Sequence, residues 1–205
     1  MTFGQTVGSS SVSFRRTNYA HYESSDAHGN AGDLKSVVQQ IYADGAWHDH
    51  ETNYYRYYQE GESGGFEHGL KFALSPTSFA RLKNDPEVPD PFAASDEKVA
   101  EYADAAYQYD PQQRATQATV RCGSMAYSYA YTTSAFADDA NNWHLKTVMM
   151  RPDGAQEITY SNYLAQVMLT ELTDGTNRWI NNTKYDNDGR VLEQAPPAAI
   201  DKSAT

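Results

Sequence analysis

The sequence predicts a mainly β protein, built as an antiparallel meander of hairpins with a short helical insertion. Four Asp-Gly dipeptides lie between segments in which apolar and polar residues alternate, which is the strongest short-range signal for a β-hairpin. Tyrosine accounts for 16 of the 205 residues, and its ring suits a half-buried strand surface because its polar end can stay in water. A hydrophobic content of 40% is enough for a packed core.

Each Asp-Gly dipeptide predicts a strand, a reversal and a second strand. The first joins SVVQQIY to WHDHETNYYRYY, and the other three follow one another in the C-terminal half, which is therefore predicted to be one continuous meander. The four dipeptides are Asp44-Gly45, Asp153-Gly154, Asp174-Gly175 and Asp188-Gly189. Further strands are predicted at residues 69–74, 115–120 and 124–133, the last of which contains the strongly β-prone stretch YSYAYTT.

The alternation within one predicted strand, AQVMLTEL, indicates a second layer. Val167 and Leu169 share one face of this strand, and Met168 and Leu172 share the other. Both faces therefore carry apolar side chains. Such a strand implies a covered sheet or a neighbouring layer.

Two segments predict the helical insertion, SPTSFARLKNDP and SDEKVAEYADAA. In the first, Ser75 or Thr77 caps a helix of about two turns, and the Asp-Pro that follows stops it. In the second, Ser95 caps the helix, and the two acidic residues after it favour the positive helix end. A proline-rich link joins the two, so we expect one insertion between sheet segments and not a separate domain.

Composition excludes several classes of partner and site. A formal net charge of −11 argues against nucleic acid and anionic membrane, because both require clustered Lys and Arg. No segment approaches the roughly 18 consecutive apolar residues of a spanning helix, so no membrane insertion by this segment is predicted. Cys122 is the only cysteine, which excludes an intrachain disulfide and a zinc site of thiolates. Beside Gly123 in a predicted strand region, it is interpreted as a small buried hydrophobic residue. No cofactor is predicted.

A Tyr-Asp turn that leads into an arginine occurs twice, in KYDNDGRVLEQ (residues 184–194) and in YQYDPQQRATQATV. In both copies the acid can open a four-residue turn by accepting a hydrogen bond from the backbone two residues further on. The marked residues are Tyr185, Asp186, Gly189 and Arg190 in one copy, and Tyr109, Asp110 and Arg114 in the other.

The two copies differ at the left-handed position of the turn. Gln113 stands where the other copy has its glycine, which should cost about 1–2 kcal/mol unless the turn takes another form. The arginine begins the return strand close to the acid and the tyrosine ring, where a charge pair or a cation–π contact contributes about 0.5–1 kcal/mol. We therefore expect these residues to stabilise turns and not to catalyse a reaction.

The pattern Tyr-Asp-x-x-Gly-Arg-Val/Leu followed by a return strand resembles the YD repeat of the RHS-repeat proteins. KYDNDGRVLEQ fits this pattern at every marked position, and YDPQQRATQATV fits it without the glycine. The resemblance covers about residues 102–195, and the stretches TNYYRYYQ and HGLKF resemble degenerate earlier members.

The resemblance implies a section of a long antiparallel sheet that spirals into a hollow β-shell. In this family, which includes bacterial polymorphic toxins, Tc-toxin C components and teneurins, the shell encloses or displays a variable C-terminal part. It thus implies a structural role, with neighbouring repeats of a larger parent chain, an enclosed cargo or a cell-surface glycan as partners. A secreted or cell-surface location is implied as well, although the first 16 residues lack the pattern of a signal peptide. The Asp-Pro-x-Gly element that closes the toxin shells is missing from this sequence.

Together with the resemblance, these segments divide the chain into four predicted regions. Because repeats bury their faces against neighbouring repeats, a sheet of this size would leave edges unpaired, which predicts a larger parent protein. The regions are 1–74, degenerate N-terminal β-hairpin repeats; 75–104, the helical insertion within the sheet; 105–195, YD-like repeat hairpins; and 196–205, a flexible C-terminal tail.

The tyrosines beside Arg56 predict an alternative function, a carbohydrate-binding β module. Tyr55 and Tyr57 share one face of the predicted strand, where exposed rings can stack on sugars, whereas the competing interpretation is aromatic packing inside the sheet. His48 and His50 also share a face, but the spacing places no third ligand, so no metal site is predicted.

Catalytic patterns are weak in this sequence. Ser95-Asp-Glu-Lys98 matches a Ser-x-x-Lys nucleophile pattern, but helix capping explains the serine and no partner motif follows. No spacing sets two carboxylates at the defined distance that sugar hydrolysis requires. The sequence therefore does not predict an enzyme.

Overall fold

The computed structural model, which describes residues 2–7 and 10–197, is mainly β and confirms the predicted fold class. Thirteen strands and two helices lie in this part of the chain, and side chains are described from residue 14 onward. The chain forms two compact units, Met1–Met125 and Ala126–Thr205. Their boundary falls within the predicted region 105–195.

The described residues of the first unit form a meander of seven strands, and two helices interrupt it after the fifth. Each strand pairs antiparallel with the next one along the chain. The elements are β1 (Thr2–Val7), β2 (Ser10–His21), β3 (Leu34–Ala43), β4 (Ala46–Tyr57), β5 (Leu70–Leu74), α1 (Pro76–Lys83), α2 (Asp96–Ala100), β6 (Ala105–Tyr109) and β7 (Ala115–Val120).

The described residues of the second unit form six more strands, the first of which begins at Met125 on the unit boundary. Consecutive strands again pair antiparallel, so the C-terminal meander predicted from the turn dipeptides is confirmed. The strands are β8 (Met125–Thr133), β9 (Leu145–Met150), β10 (Gln156–Ser161), β11 (Val167–Thr173), β12 (Arg178–Tyr185) and β13 (Val191–Ala195).

The Asp-Gly dipeptides lie at chain reversals between strands. Asp44 (φ 52°) and Gly45 (φ 81°) separate the paired residues Ala43 and Ala46. Two successive residues with positive φ are what a type I′ hairpin turn requires, and Asp-Gly is one of the dipeptides that favour this turn. The glycines of the other three dipeptides also adopt positive φ: Gly154, Gly175 and Gly189.

The backbone of the first hairpin recurs after 36 residues. Strands β1 and β2 pair Thr2 with Arg16, and strands β3 and β4 pair Val38 with Thr52, so that each partner lies 36 positions after its counterpart. The register also shifts by one residue at matching places in the two hairpins. These places are Phe3/Gly4 and Gln39/Gln40. The N-terminal region is therefore a structural repeat with a 36-residue period.

The helical insertion occupies the place of a hairpin tip in the third period. In the second period Ser36 pairs with Tyr54, and the two strands continue to their Asp-Gly turn. Phe72, which follows Ser36 by 36 positions, pairs with Ala106 in the same way. Strand β5 then ends at Leu74, and the chain forms α1 and α2 before β6 begins. Both helices lie within the predicted region 75–104.

Each helix begins with a capping serine. Ser75 Oγ accepts a hydrogen bond from the Ser78 amide (3.4 Å), and Ser95 Oγ accepts one from the Lys98 amide (3.3 Å). An acceptor at this position satisfies an amide that has no partner within the helix.

Two local predictions were wrong. Helix α2 ends at Ala100, short of the predicted segment, because the chain is already pairing with the sheet at Asp104, whose amide donates to the Ala73 carbonyl (2.9 Å). Cys122 is not a buried strand residue: it lies half-buried in the turn between β7 and β8 with a positive φ of 54°. Its thiol donates to the Tyr102 carbonyl (3.5 Å).

The helical insertion and one face of the first unit's sheet form a core. Leu82 of α1 and Val99 of α2 are fully buried, and they belong to one cluster with Tyr54, Phe72 and Leu74 from the strands. Full burial of such a side chain contributes about 1.5–3 kcal/mol. The insertion therefore supplies one of the two layers that bury apolar surface.

Candidate functional site

The Tyr-Asp turn at Asp186 is a closed five-residue corner between β12 and β13. The Asp186 amide donates to the Arg190 carbonyl (2.9 Å), and the Gly189 amide donates to the Asp186 carbonyl (3.0 Å). Asp186 Oδ1 accepts from the amides of Asp188 (3.0 Å) and Arg190 (2.8 Å). The carboxylate thus holds the backbone of the turn from inside.

The turn at Asp110, between β6 and β7, has the same hydrogen bonds. The Asp110 amide donates to the Arg114 carbonyl (2.9 Å), and Asp110 Oδ1 accepts from the amides of Gln112 and Arg114 (both 2.9 Å). Gln113 adopts the left-handed conformation (φ 62°) that Gly189 adopts in the other copy (φ 78°). The first copy therefore keeps the turn form and accepts the backbone strain of a side chain at this position.

The arginine of each corner pairs with the acid that opens it. Arg114 Nε donates to Asp110 Oδ2 and Arg190 Nε donates to Asp186 Oδ2, each at 2.8 Å. Burial alone would raise the pKa of Asp110, but the hydrogen bonds from Arg114 outweigh it and lower the pKa. The amide and side chain of Arg190 lower the pKa of Asp186. Both carboxylates are charged at neutral pH and are engaged within their own turns.

The tyrosine of each copy links its corner to the preceding hairpin. Tyr109 Oη donates to the carbonyl of Leu70 (3.0 Å), and Tyr185 Oη donates to the carbonyl of Val167 (2.8 Å). Leu70 begins β5 and Val167 begins β11, so both acceptors are the first residue of the preceding return strand. The Tyr-Asp pair therefore makes one bond between hairpins and a set of bonds within its turn.

A third corner of this form, which the sequence analysis missed, begins at Asn162. Its amide donates to the Gln166 carbonyl, and its Oδ1 accepts from the amides of Leu164 and Gln166, each at 3.0 Å. Asn replaces Asp, Gln replaces Arg, and Ala165 (φ 59°) takes the left-handed position, so the asparagine was the one turn signal that remained in the sequence. Gln166 Nε2 reaches the Gly189 carbonyl of the next corner (2.8 Å).

Two longer loops in the first unit close with the same backbone bonds. The Tyr22 amide donates to the Asp33 carbonyl, and the Tyr58 amide donates to the Gly69 carbonyl, each at 2.8 Å. In each loop, the residue before this acceptor donates its amide hydrogen to the carbonyl of the tyrosine, and it has a positive φ. These residues are Gly32 and His68. We refer to residues 22–35 and 58–71 as the two Tyr loops.

All five turns are followed by the same irregularity, a one-residue register shift at the start of the return strand. We call these turns corners; they begin at Tyr22, Tyr58, Asp110, Asn162 and Asp186. The extra residues in the return strands are Lys35, Lys71, Thr116, Met168 and Leu192. One backbone design thus recurs along the described chain with different side chains.

The two Tyr loops also share side-chain contacts. In the first, Lys35 Nζ lies 3.0 Å from Asp26 Oδ1 and 5.1 Å from the centroid of the Tyr22 ring. In the second, Lys71 Nζ lies 2.9 Å from Glu62 Oε1 and 4.9 Å from its own loop's tyrosine ring. Each lysine therefore covers the ring and pairs with an acid of the same loop.

A glycine closes each Tyr loop over its tyrosine ring. A Cβ atom on Gly29 would lie 2.4 Å from the Tyr22 ring, and one on Gly65 would lie 2.2 Å from the Tyr58 ring. Only glycine permits this approach. The spacing Tyr-x6-Gly-x5-Lys, repeated after 36 residues, is the signal that could have revealed both loops.

The predicted ligand-binding residues Tyr55 and Tyr57 contact the first Tyr loop. Tyr22 Oη donates to the Tyr55 carbonyl (2.8 Å), and the Tyr57 amide donates to the His28 carbonyl (2.9 Å). The rings of Tyr22 and Tyr57 meet edge to face, with centroids 6.3 Å apart. Burial raises the pKa of both phenols, so each stays protonated. The Tyr57 ring is thus engaged in packing.

The second Tyr loop makes the same contacts with the Asp110 corner. Tyr58 Oη donates to the Tyr107 carbonyl, and the Tyr109 amide donates to the Gly64 carbonyl, each at 2.8 Å. The rings of Tyr58 and Tyr109 also meet edge to face, at 6.1 Å. Each Tyr loop therefore binds the strand that leads into the following corner.

In the second unit, the loop at residues 134–144 performs the corresponding role. Asn141 Oδ1 accepts from the Tyr185 amide (2.9 Å), and Asn141 Nδ2 donates to the Tyr185 carbonyl (2.8 Å). The carbonyl of Ala140 accepts from Asn162 Nδ2 (2.8 Å). One loop thereby contacts two corners of this unit.

Arg56 is a buried charge that the sequence analysis did not anticipate. Its side chain is fully buried beside Tyr54, on the face that the helical insertion covers. Arg56 Nη1 donates to Asp96 Oδ1 (2.7 Å), and Arg56 Nε donates to Tyr54 Oη (2.9 Å). Asp96 lies 40 positions away in the sequence, so no local pattern could have indicated the pair.

Asp96 is the centre of this charged cluster. Lys71 Nζ lies 2.5 Å from its Oδ2, and His28 Nδ1 lies 3.4 Å from its Oδ1. Burial alone would raise the pKa of Asp96, but hydrogen bonds from His28, Lys71 and Arg56 outweigh it and lower the pKa. Asp96 is the first residue of α2, so the cluster fixes the helical insertion to both Tyr loops.

Other site types find no support in the described part of the chain. Within it, no three His, Cys, Asp or Glu side chains are grouped closely enough to hold a metal ion. His48 Nε2 lies 3.1 Å from the Ala43 carbonyl, and His50 is the extra residue at a register shift between Asp49 and Glu51. Among these residues, no helix is both long and apolar enough to cross a membrane.

No model of a protein family matches this chain, and no curated protein does.

Proposed function

We propose that this chain is a structural repeat segment of a larger RHS/YD-repeat protein, in which it forms part of a β-shell around or beside a variable C-terminal part. The observation that carries the proposal is the corner. Five turns with different side chains share one set of backbone bonds and one register shift. Such recurrence is typical of repeat proteins, whose stability is a sum of similar neighbour contacts.

The chemistry of the corners favours a structural role over catalysis. The acid and arginine of each Tyr-Asp turn pair with each other, and each tyrosine hydroxyl donates to a backbone carbonyl. Each of these groups is thus engaged within its own turn or with the preceding return strand. The proposed partners of such a segment are neighbouring repeats of the parent chain, together with either a cargo enclosed by the shell or a cell-surface glycan outside it.

The complete reading frame around these codons tests the proposal. We expect further Tyr-Asp-x-x-Gly-Arg units, or Tyr-x6-Gly-x5-Lys loops, on at least one side. A start codon and a stop codon that bound this chain closely would contradict it, since the repeats would then have no larger sheet to join.

A glycan array distinguishes the alternative, a carbohydrate-binding module. The array would compare the intact chain with Tyr55→Ala and Tyr57→Ala. A structural segment shows no glycan binding that depends on these two residues. Specific binding that is lost in both variants would replace the structural proposal with a lectin.

A further inference from the structure

Each Tyr loop fills a pair of backbone sites on the strand that leads into the next corner. One site is a carbonyl three positions before the next corner, which accepts from the loop's tyrosine hydroxyl. The other is an amide one position before that corner, which donates to a loop carbonyl. The filled pairs are Tyr55 and Tyr57 on β4, and Tyr107 and Tyr109 on β6. We call such a pair a socket.

The 36-residue period places a third socket on β2. Tyr19 and His21 lie 36 positions before Tyr55 and Tyr57, and they stand three positions and one position before the corner at Tyr22. The register of β2 with β3 shifts at the same place, between Ala20 and His21, as it does beside the two filled sockets. Backbone geometry and sequence position therefore both match the two filled sockets.

No described residue pairs with the outer edge of β2 at this socket. The pairing of β1 with β2 reaches only from Ser10 to Arg16, where Thr2 is the partner. Residues 17–21 extend beyond it with β3 on one side only, and Tyr19 is 61% exposed. A strand edge without a partner presents amides and carbonyls that another chain segment can bind.

We propose that the socket at Tyr19 and His21 binds a Tyr loop of a preceding module of the same polypeptide. This inference rests on the proposed function and names the contact that a neighbouring repeat makes. The occupant carries a tyrosine, a glycine seven positions later and a lysine six positions after that. Its tyrosine hydroxyl donates to the Tyr19 carbonyl, and its loop carbonyl accepts from the His21 amide. The His21 ring takes the edge-to-face place that Tyr57 and Tyr109 hold in the filled sockets.

The register of the occupant follows from the same period. Thr2 corresponds to Val38, and the first Tyr loop begins 16 positions before Val38. A second copy of residues 22–37, placed directly before Thr2, therefore continues the repeat in register. A copy of residues 22–36 at the same place is one residue short. Since a one-residue slip turns every strand side chain to the other face, the shorter extension is a matched control.

Amide hydrogen exchange of the two extended chains tests the socket. We expect the in-register extension to slow exchange of the His21 amide at least tenfold relative to the unextended chain, and the shorter extension to leave it unchanged. Amides in β4 report in the same spectra whether each protein keeps its fold. Equal exchange of His21 in all three proteins would overturn the inference.

A second measurement covers the case in which an extended chain does not fold. A synthetic peptide of residues 22–37 is titrated into the unextended chain, with a scrambled peptide as the control. A shift of the His21 amide resonance with the first peptide only is the expected result, and no shift with either contradicts the socket. The reading frame tests the proposed function independently: a closely bounded frame would end that proposal even if the extension protected His21.

Discussion

The two compact units use the same corners but differ in what covers their sheets. In the first unit, the helical insertion buries Tyr54, Phe72, Leu74, Leu82 and Val99 against one sheet face. Among the described residues of the second unit, the one buried hydrophobic residue is Ala140. The difference teaches that the corners organise the strands, whereas the insertion provides the apolar burial that dominates folding free energy.

The second unit buries an ion pair, whereas the first unit buries an apolar core. Glu171 in β11 is buried and accepts two hydrogen bonds from Arg178 in β12, at 2.7 and 2.8 Å. The hydrogen bond from Arg178 lowers the pKa of Glu171. Trp179 and Leu192 of the same unit are 43% and 68% exposed. This unit therefore depends more on polar contacts than on buried apolar area.

The largest effect should come from the buried charge that fixes the insertion. Arg56→Met leaves Asp96 without its arginine, and we expect a loss of about 3–5 kcal/mol in the free energy of unfolding of the first unit. Urea unfolding followed by hydrogen exchange measures it. The control is Lys184→Met in the second unit, which removes an exposed pair with Glu193 and should have little effect. Equal losses in the two variants would break the comparison.

The next largest effect tests the core directly. Leu82 is fully buried, so Leu82→Ala should reduce the free energy of unfolding of the first unit by about 3 kcal/mol through lost contacts and a cavity. Leu164 in the second unit is 51% exposed, and Leu164→Ala should change it by no more than about 0.5 kcal/mol. Chemical denaturation of both proteins provides the measurement. A comparable loss at Leu164 would show that the second unit has a core after all.

A corner variant addresses the polar contacts of the second unit. Asn162 is 1% exposed, and its side chain serves two amides of its own turn and the Ala140 carbonyl. Asn162→Ala leaves these groups without their partner, so we expect a loss of about 2 kcal/mol. The exposed Asn181, which makes one long bond to Thr170 (3.3 Å), supplies the control Asn181→Ala. The thermal unfolding midpoint of Asn162→Ala should be clearly lower than that of Asn181→Ala. Indistinguishable unfolding curves would show that the corner does not stabilise the second unit.

Exchange of one residue type between corners tests whether they are equivalent. Gln113→Gly should stabilise the first unit by about 1 kcal/mol, because a side chain at a left-handed position is strained. Gly189→Ala should destabilise the second unit by a similar amount, and its Cβ would also lie 2.9 Å from Gln166 Nε2. Denaturation midpoints give both signs. Effects of the same sign would mean that the two corners are not interchangeable.

The smallest effect is a pH dependence confined to the first unit. His68 Nδ1 lies 2.8 Å from Asp33 Oδ1, and this hydrogen bond links the two Tyr loops and raises the pKa of His68. A raised pKa in the folded state gives stabilisation that is complete below the unfolded value of about 6.5 and is lost as pH rises through the folded value.

The variant His68→Asn measures this contribution, since asparagine tolerates the positive φ at this position. We expect the stability difference between the intact chain and the variant to shrink as pH rises from about 5.5 to about 8.5. Hydrogen exchange of the second unit should not change with the substitution. A difference that grows with pH would show that the pair has the opposite linkage.

The sequence was sufficient for the strands and turns because their signals are local. Asp-Gly dipeptides and alternating side chains gave the hairpins, and the serine caps gave the starts of both helices. Local signals failed at the Asn162 corner, where no glycine, aspartate or arginine remained to mark the turn. Local signals also failed at Cys122. The three residues from Arg121 to Gly123 have positive φ and form a turn, but no Asp-Gly dipeptide is present there to indicate it.

The contacts between elements were beyond such reasoning. The partnership of Arg56 with Asp96 depends on the chain path through the helical insertion, and the alternation pattern alone could not decide which tyrosines would be buried. The 36-residue period was also missed, because the two Tyr loops share few identical residues besides the tyrosine, glycine and lysine of their common spacing. Their equivalence lies in backbone bonds and in the distance between a glycine and a ring, which only the structure measures.

The position of the helical insertion indicates where a sheet of this kind can accept additional segments. Strand β5 ends at Leu74 and β6 begins at Ala105, and Ala73 and Ala105 are paired neighbours in the sheet. The ends of any segment placed here are held together by the sheet itself, and each doubling of segment length adds only about 0.6 kcal/mol of closure entropy. Hairpin tips of this meander are therefore permissive positions, where a whole foreign domain can be grafted while the corners at the opposite strand ends stay intact.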